Sequence, residues 1–393
     1  MVLLKSPKKK VIYVTARKPQ NIRSGTDIRI RNYLQFFNSN CEFLIFEISN
    51  SNSTQVDFLK NSIYGDSGIR NLSTSDLAAV ILGKEPPYFF YFSENLFNRL
   101  DKLITDFNPD IVLYQRLEVV SYAKLKDKYP KIKFILELDE LQHKILGDFS
   151  DINTSAALRM RSLYSKRIES YEKFWVDVFD EVWVSSVDER NLLDSIFVSP
   201  EKFRVVPNVV DLDYYDFFLK EECYSDELFF PGNFLYKPNL MAFEFITSEL
   251  LDLIPDFRVK IAGSGQPTHI RNYISNKVSN LGEVDDMREE FRKSFALIVP
   301  IALGGGTRLK VLEAMALGLP VISTQIGVRG LNLVPGVHYL QAESAEQFAK
   351  AAYHLKANNQ IRVALIQNSR SYIERNYDFN NFSHILKNYL KIT

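Results

Sequence analysis

The residues best placed to do chemistry lie within 299–326, VPIALGGGTRLKVLEAMALGLPVISTQI. Gly304, Gly305 and Gly306 precede Thr307, Arg308 and Lys310, and Glu313 follows inside an otherwise apolar run. A glycine turn that opens into a helix offers unpaired backbone N–H groups and the positive end of the helix dipole together, which makes an anion site. Arg308 and Lys310 stand near that end, where the dipole alone disfavours cations, so a negative ligand between them is expected. Glu313, with apolar neighbours on both sides, suits a partly buried carboxylate that needs a polar partner. The bland alternative is a surface Glu paired with Lys310 three residues earlier.

The elements that must position these groups can be read from the same stretch. The apolar run 295–301 reads as a buried strand. Leu309, Leu312, Ala316 and Leu319 recur at three- and four-residue steps, which predicts a helix over 308–317 with Thr307 as its N-cap. Gly318 and Pro320 end it, and 320–324 starts another buried strand. A second strand, glycine turn and helix start occurs at 227–239, around Gly232, and so offers a second anion site. Further strands are expected at 10–16, 43–48, 110–114, 133–138, 181–185 and 257–262. Helical patterns cover 26–37, 88–107, 122–128, 156–179 and 239–253. Repeated β-then-α units predict an α/β protein with parallel sheets covered on both faces. Residues 49–84 are polar and glycine-bearing, and read as an insertion.

A chain of 393 residues is long enough for two domains of about 150–200 residues each. The seam is expected at 204–213, RVVPNVVDLD, where a strand runs into a Pro207-Asn208 turn. This divides the chain into 1–206 and 207–376, with a terminal helix at about 377–393. Side chains that close parallel strands project into the ligand crevice. By that rule Asp139, Glu140 and His143, which follow the 133–138 strand, are candidates, although Asp139 or Glu140 could instead cap the next helix. The glycine at the first strand-to-helix turn, Gly25, faces the same edge, but its spacing is not a dinucleotide fingerprint.

Zero net charge gives no global field for nucleic acid. Two cysteines suit a reducing compartment and offer no metal-ligand spacing. No apolar run approaches the roughly 18–20 residues that span a bilayer, and no signal-peptide pattern opens the chain, so a cytoplasmic location is expected. Lys5, Lys8, Lys9 and Lys10 form a basic cluster. It reads as a solvated tail, or as a peripheral contact with the inner face of a membrane if the acceptor is lipid-linked. Oligomerisation is left open.

The glycine loop and the Glu313 helix, with VPNVVD at the seam, GNFLYKPN after the 227 strand and Gly263-Ser-Gly265, resemble the retaining nucleotide-sugar glycosyltransferases of the GT-B fold, glycosyltransferase family 4. The resemblance spans most of residues 10–390 and is strongest from 204 onward. It implies two Rossmann-like doubly wound domains facing a central cleft, an acceptor domain (1–206) and a donor domain (207–376), with the terminal helix packed back on the first. It implies that Glu313 binds the ribose hydroxyls. Gly305, Gly306, Thr307, Arg308, Lys310 and Lys237 would hold the diphosphate, Gly232 and Gly263 would shape the donor loops, and the segment around Val284 would meet the base. Arg23 and Gly25 match the interdomain loop. Asp139, with Glu140 and His143 beside it, would lie near the transferred sugar and the acceptor. The donor would be UDP-, GDP- or dTDP-linked, and the acceptor a glycan, glycoprotein or lipid-linked hydroxyl. No metal or cofactor is expected, since Asp211-Leu-Asp213 reads as turn chemistry. The family carries a second Glu eight positions before Glu313, where this chain has Gly305. That departure also fits a non-catalytic partner subunit that stabilises another glycosyltransferase.

Overall fold

The structure, a computed structural model, describes residues 8–17, 25–49, 62–66, 74–143, 156–219, 225–273 and 275–392. Arg23, Lys5 and Cys223 lie outside the described residues. Among those described, contacts gather residues up to Val206 together with 385–392 into one unit, and Gly25 with 207–384 into a second. None of the described helices is long and apolar enough to cross a membrane.

The first unit is built on a seven-stranded sheet whose strands are β1 (Lys10–Thr15), β2 (Glu42–Ser49), β3 (Ser62–Asp66), β4 (Ile111–Gln115), β5 (Lys133–Leu138), β6 (Glu181–Val184) and β7 (Phe203–Val205). Their order is β3-β2-β1-β4-β5-β6-β7, with every pairing parallel. Strands β1, β4 and β5 are almost wholly buried. That explains why they read as continuous apolar runs rather than alternating ones: helices cover both faces. Strand β3 and helix Thr74–Ile81 fall inside the stretch that the sequence presents as a polar insertion. The expected helix at 88–107 is instead a 3₁₀ turn, Phe89–Tyr91, followed by helix Glu94–Phe107. The break falls at Phe92-Ser93, where the Ser93 amide donates to the Tyr122 hydroxyl (3.0 Å) rather than to a helical carbonyl. Residues 117–128 wind as 3₁₀ helix rather than α-helix.

A buried ion pair pins helix Gly25–Asn40 to this sheet. Arg29, 2% exposed, donates through Nε to Glu137 Oε1, and Glu137 is fully buried. Burial pushes the Glu137 carboxyl up, and Arg29 pulls it back. Two of the basic-cluster lysines engage acids of their own unit. Lys9 Nζ lies 3.4 Å from Asp110 Oδ1, and Lys10 Nζ lies 3.8 Å from Glu42 Oε1.

The second unit repeats the plan. Its strands are β8 (Glu227–Pro231), β9 (Arg258–Ala262), β10 (Val278–Asn280), β11 (Ala296–Val299), β12 (Val321–Ser323) and β13 (Leu340–Gln341). They form a parallel six-stranded sheet in the order β10-β9-β8-β11-β12-β13. In both units the strand order reverses beside the first strand, at β1/β4 and at β8/β11. Those are the doubly wound switch points, where loops leave the carboxyl ends of adjacent strands in opposite directions and open a crevice.

The chain's end enters the first unit. The Tyr389 hydroxyl donates to the Val205 carbonyl (3.2 Å), and its ring centre lies 6.3 Å from that of Trp183. In the second unit Val210 bridges to Asp378, with the Val210 amide donating to the Tyr377 carbonyl at 2.9 Å.

Candidate functional site

At the β8/β11 switch point the two glycine loops meet. The loop after β8 runs from Gly232 to Tyr236 and enters helix Lys237–Phe245, whose first turn holds Pro238. The loop after β11 carries Gly304, Gly305 and Gly306 and enters helix Leu309–Leu317. Gly304 has φ +114°, and a Cβ there would stand 2.4 Å from the Tyr236 hydroxyl, so only glycine lets the loops pass this closely. The loop after β9 is equally tight. A Cβ on Gly263 would meet the Gly232 carbonyl oxygen at 1.9 Å. The Gly232 amide donates to the Ala262 carbonyl (2.9 Å) and the Phe234 amide to that of Ser264 (2.9 Å). The Gly263 amide donates to the Gly282 carbonyl at 2.6 Å, and half-buried Val284 follows two residues later.

Helix Leu309–Leu317 starts one residue later than its periodicity predicts. Arg308, not Thr307, holds the N-cap position, and no side chain caps the first turn. The Thr307 hydroxyl is committed elsewhere, accepting from Asn208 Nδ2 at 2.6 Å. Among the described residues no side chain accepts from the first-turn amides, which is the condition for an anion site.

Three charged side chains converge on this helix start. Arg308, 9% exposed, folds back so that Nη1 donates to the Gly305 and Gly306 carbonyls, the latter at 3.1 Å. Its buried Nε and Nη2 have no hydrogen-bond partner among the described residues. A guanidinium with unused buried N–H groups is a costly arrangement unless an anion completes it. Lys310 Nζ donates to Asn239 Oδ1 (3.0 Å) and stands 4.6 Å from the centre of the Phe230 ring. Burial, and then Arg308, push its ammonium down to about 7, against an upward pull from Glu313. Glu313 is half-buried, and its Oε1 accepts from the Tyr215 hydroxyl at 2.6 Å. Burial raises its carboxyl, while the Tyr215 bond and Lys310 lower it. Lys237 is exposed at the first residue of its helix.

Asn239 and Tyr215 were not among the sequence candidates. Asn239 joins both loops, since its Nδ2 also donates to the Asn233 carbonyl (2.8 Å). An Asn directly after the helix-opening Pro238 is a signal that could have found it. Tyr215 leaves no local signal, because its partner is 98 residues away.

In the first unit, Asp139 follows β5 and is held in a small network. Asp139 Oδ2 accepts from Thr26 Oγ1 (3.1 Å) and from Arg116 Nη1 (3.1 Å). Arg116 stands at φ +72°, anchored by its amide on the Glu137 carbonyl (2.8 Å). It also lies 3.3 Å from Glu118 and 3.8 Å from Glu140. The network thus brings Glu140 beside Asp139. His143 pairs through Nδ1 with the nearly buried Glu172 of helix Ala156–Val178. Gly25, which groups with the second unit, is exposed, and a Cβ there would stand 3.1 Å from Leu309 Cδ1. Asp211 Oδ1 accepts from the Asp213 and Tyr214 amides at 3.1 and 3.3 Å, so this carboxylate shapes a turn.

Residues 225–358 match the family model for glycosyl transferases group 1. Over 333 residues the chain is 26% identical to an uncharacterized 44.6 kDa protein in the cps region of Klebsiella pneumoniae, covering 80% of this chain and 77% of that protein. Sucrose-phosphate synthase from Thermosynechococcus elongatus superposes with a TM-score of 0.75 at 13% identity, covering 98% of both chains. Anabaena Alr3699/HepE in complex with UDP and glucose gives 0.69 at 12% identity, covering 98% of this chain and 99% of that one. At such identities the structures establish a shared fold. That fold is GT-B, with two doubly wound parallel-sheet units. The family match lies wholly within the second unit.

Proposed function

We propose that this protein transfers a sugar from a nucleotide-diphosphate sugar to an acceptor hydroxyl with retention of anomeric configuration, in bacterial polysaccharide or glycoconjugate synthesis. The observation that carries the reading is the convergence of Arg308, Lys310 and Glu313 on one uncapped helix start at a switch point. Cations and amides suit a diphosphate, and a half-buried carboxylate one helical turn away suits a ribose diol. The UDP-glucose complex of Alr3699/HepE and the cps-region relative agree with a nucleotide-sugar donor and a polysaccharide setting.

In the reaction, the bond between the sugar's anomeric carbon and the β-phosphate oxygen breaks as the acceptor oxygen bonds to the same face of that carbon. The acceptor proton passes to the departing phosphate oxygen. Charge grows on the leaving diphosphate, and donors fixed in advance stabilise it without reorganisation. Arg308 contributes its unused Nε and Nη2, Lys310 its ammonium, and Gly305, Gly306 and Thr307 their amides, with Lys237 at the neighbouring helix start. Gly232 and Gly263 let the donor loops close on the nucleotide, and the chain near Val284 meets the base. On the acceptor side we assign Asp139, held by Arg116 and Thr26, to orient the incoming hydroxyl, with Glu140 in the same network; the Arg23 assignment lies outside the described residues. His143, whose Nδ1 pairs with Glu172, stays a third candidate on this side.

Titration of UDP, GDP and dTDP into the wild type and Glu313→Ala tests the donor half. Losing a charge-assisted contact of about 1.5–3 kcal/mol should weaken the preferred nucleotide about 10- to 100-fold. Equal binding by the mutant would remove Glu313 from the site.

A further inference from the structure

Tyr215 sits between the two domain sheets in sequence, yet it is 8% exposed and its hydroxyl reaches Glu313. The chain around it is clamped twice within the second unit. Arg288 donates through Nη1 to the Tyr214 carbonyl (2.9 Å) and stacks 3.8 Å from the centre of the Tyr214 ring. Asp286 fixes Arg288 in turn, at 2.6 Å. Arg370 Nη1 bonds the Tyr215 carbonyl (3.3 Å) and also the Ala316 carbonyl (2.6 Å), near the carboxyl end of the Glu313 helix. One guanidinium therefore ties the backbone of Tyr215 to the helix that its hydroxyl contacts. Such a brace exceeds what packing an aromatic ring requires, and it fixes the hydroxyl against a single carboxylate oxygen.

We propose that Tyr215 is a positioning residue for the nucleotide: its hydroxyl holds Glu313 Oε1 and leaves Oε2 to bind a ribose hydroxyl. This rests on the reading of Glu313 as the ribose contact. A half-buried carboxylate with apolar neighbours tends to protonate, and a protonated carboxyl is a weaker acceptor for a diol. The Tyr215 bond opposes that tendency, as does Lys310 on the same helix. The other charged groups on packed elements point elsewhere: Arg370, on helix Asn359–Asn376, to the helix end, and Arg288, on helix Met287–Lys293, to Tyr214. Removing the hydroxyl therefore moves Glu313 further toward its neutral form at mildly acidic pH.

The test is titration of the preferred nucleoside diphosphate, UDP or GDP, into wild type, Tyr215→Phe, Glu313→Ala and the double variant, at pH 6 and pH 8. Tyr215→Phe should weaken binding about tenfold at pH 6 and distinctly less at pH 8, because rising pH favours the ionised carboxylate. Added to Glu313→Ala, it should change nothing further. Equal losses at both pH values, a further loss in the double variant, or no loss at all would overturn the proposal, because a purely structural tyrosine gives one of those results. If Glu313→Ala itself binds as well as wild type, the reading beneath the proposal fails, and the proposal with it.

Discussion

Replacing Asn239 by alanine removes one side chain that serves two loops, and the consequences for stability and for binding separate by pH. Asn239 is 6% exposed. It donates to the Asn233 carbonyl at 2.8 Å and accepts from Lys310 Nζ at 3.0 Å. A neutral hydrogen bond contributes about 1 kcal/mol and one to a charged group about 1.5–3, so the two together set an upper value of about 2.5–4 kcal/mol. Lys310 is half-buried, and water can replace part of the second bond, so an observed loss near 2 kcal/mol is expected in urea unfolding. The Lys310 ammonium also loses its acceptor. About 1.4 kcal/mol against the charged form moves its titration roughly one unit below its present value of about 7. At pH 7 the charged fraction then falls from about one half to about one tenth, and diphosphate affinity should drop about fivefold. At pH 5.5 both proteins carry the ammonium, and most of that difference should vanish. Calorimetric titration of the preferred nucleoside diphosphate from pH 5.5 to 8.5 reads both effects. A variant that binds with an unshifted pH midpoint would refute the coupling of Asn239 to Lys310, whatever its stability.

Two further outcomes follow from the packing. Gly263→Ala places a methyl 1.9 Å from the Gly232 carbonyl oxygen at a backbone φ of +136°. Nucleotide affinity should fall tenfold or more with a lowered melting temperature, and unchanged binding would show that the β8 and β9 loops are not held together at the site. Arg29→Met leaves Glu137 buried without its ion-pair partner and should cost about 3–5 kcal/mol at pH 7, whereas Arg29→Met with Glu137→Leu should recover most of it. Equilibrium unfolding of the single and double variants distinguishes the two.

What the sequence disclosed and what it hid divide along contact range. The glycine loop, Arg308, Lys310 and Glu313 lie within ten residues of one another, so strand end, turn and helix start are visible in the local pattern. The parallel sheets were legible for a related reason: strands buried on both faces leave long apolar runs such as 295–301. Short edge strands such as β10 and β13 bury too little to leave one. The polar network is long-range. Tyr215 meets Glu313 across 98 residues, Asn208 meets Thr307 across 99, and Asn239 meets Lys310 across 71. The second of these explains the misplaced cap, because Thr307 has the right chemistry to close the helix start but spends its hydroxyl on Asn208. In the first unit, His143 pairs with Glu172 from another helix, a contact that its place after the strand does not announce. Arg116, at a backbone angle uncommon for a residue with a side chain, gathers Asp139 and Glu140 in a way that no linear spacing announces.

The most direct test of sugar transfer is turnover by the purified chain. UDP-, GDP- and dTDP-linked sugars would be incubated with a pool of glycan and lipid-linked acceptors, with nucleoside diphosphate release followed and the new glycosidic linkage read by the anomeric proton coupling in NMR. The account predicts that one donor is consumed in an acceptor-dependent manner, and that the product keeps the donor's anomeric configuration. Product with inverted configuration would contradict the retaining mechanism, and absence of turnover with every donor would contradict the assignment of the second unit's helix start as a working donor site.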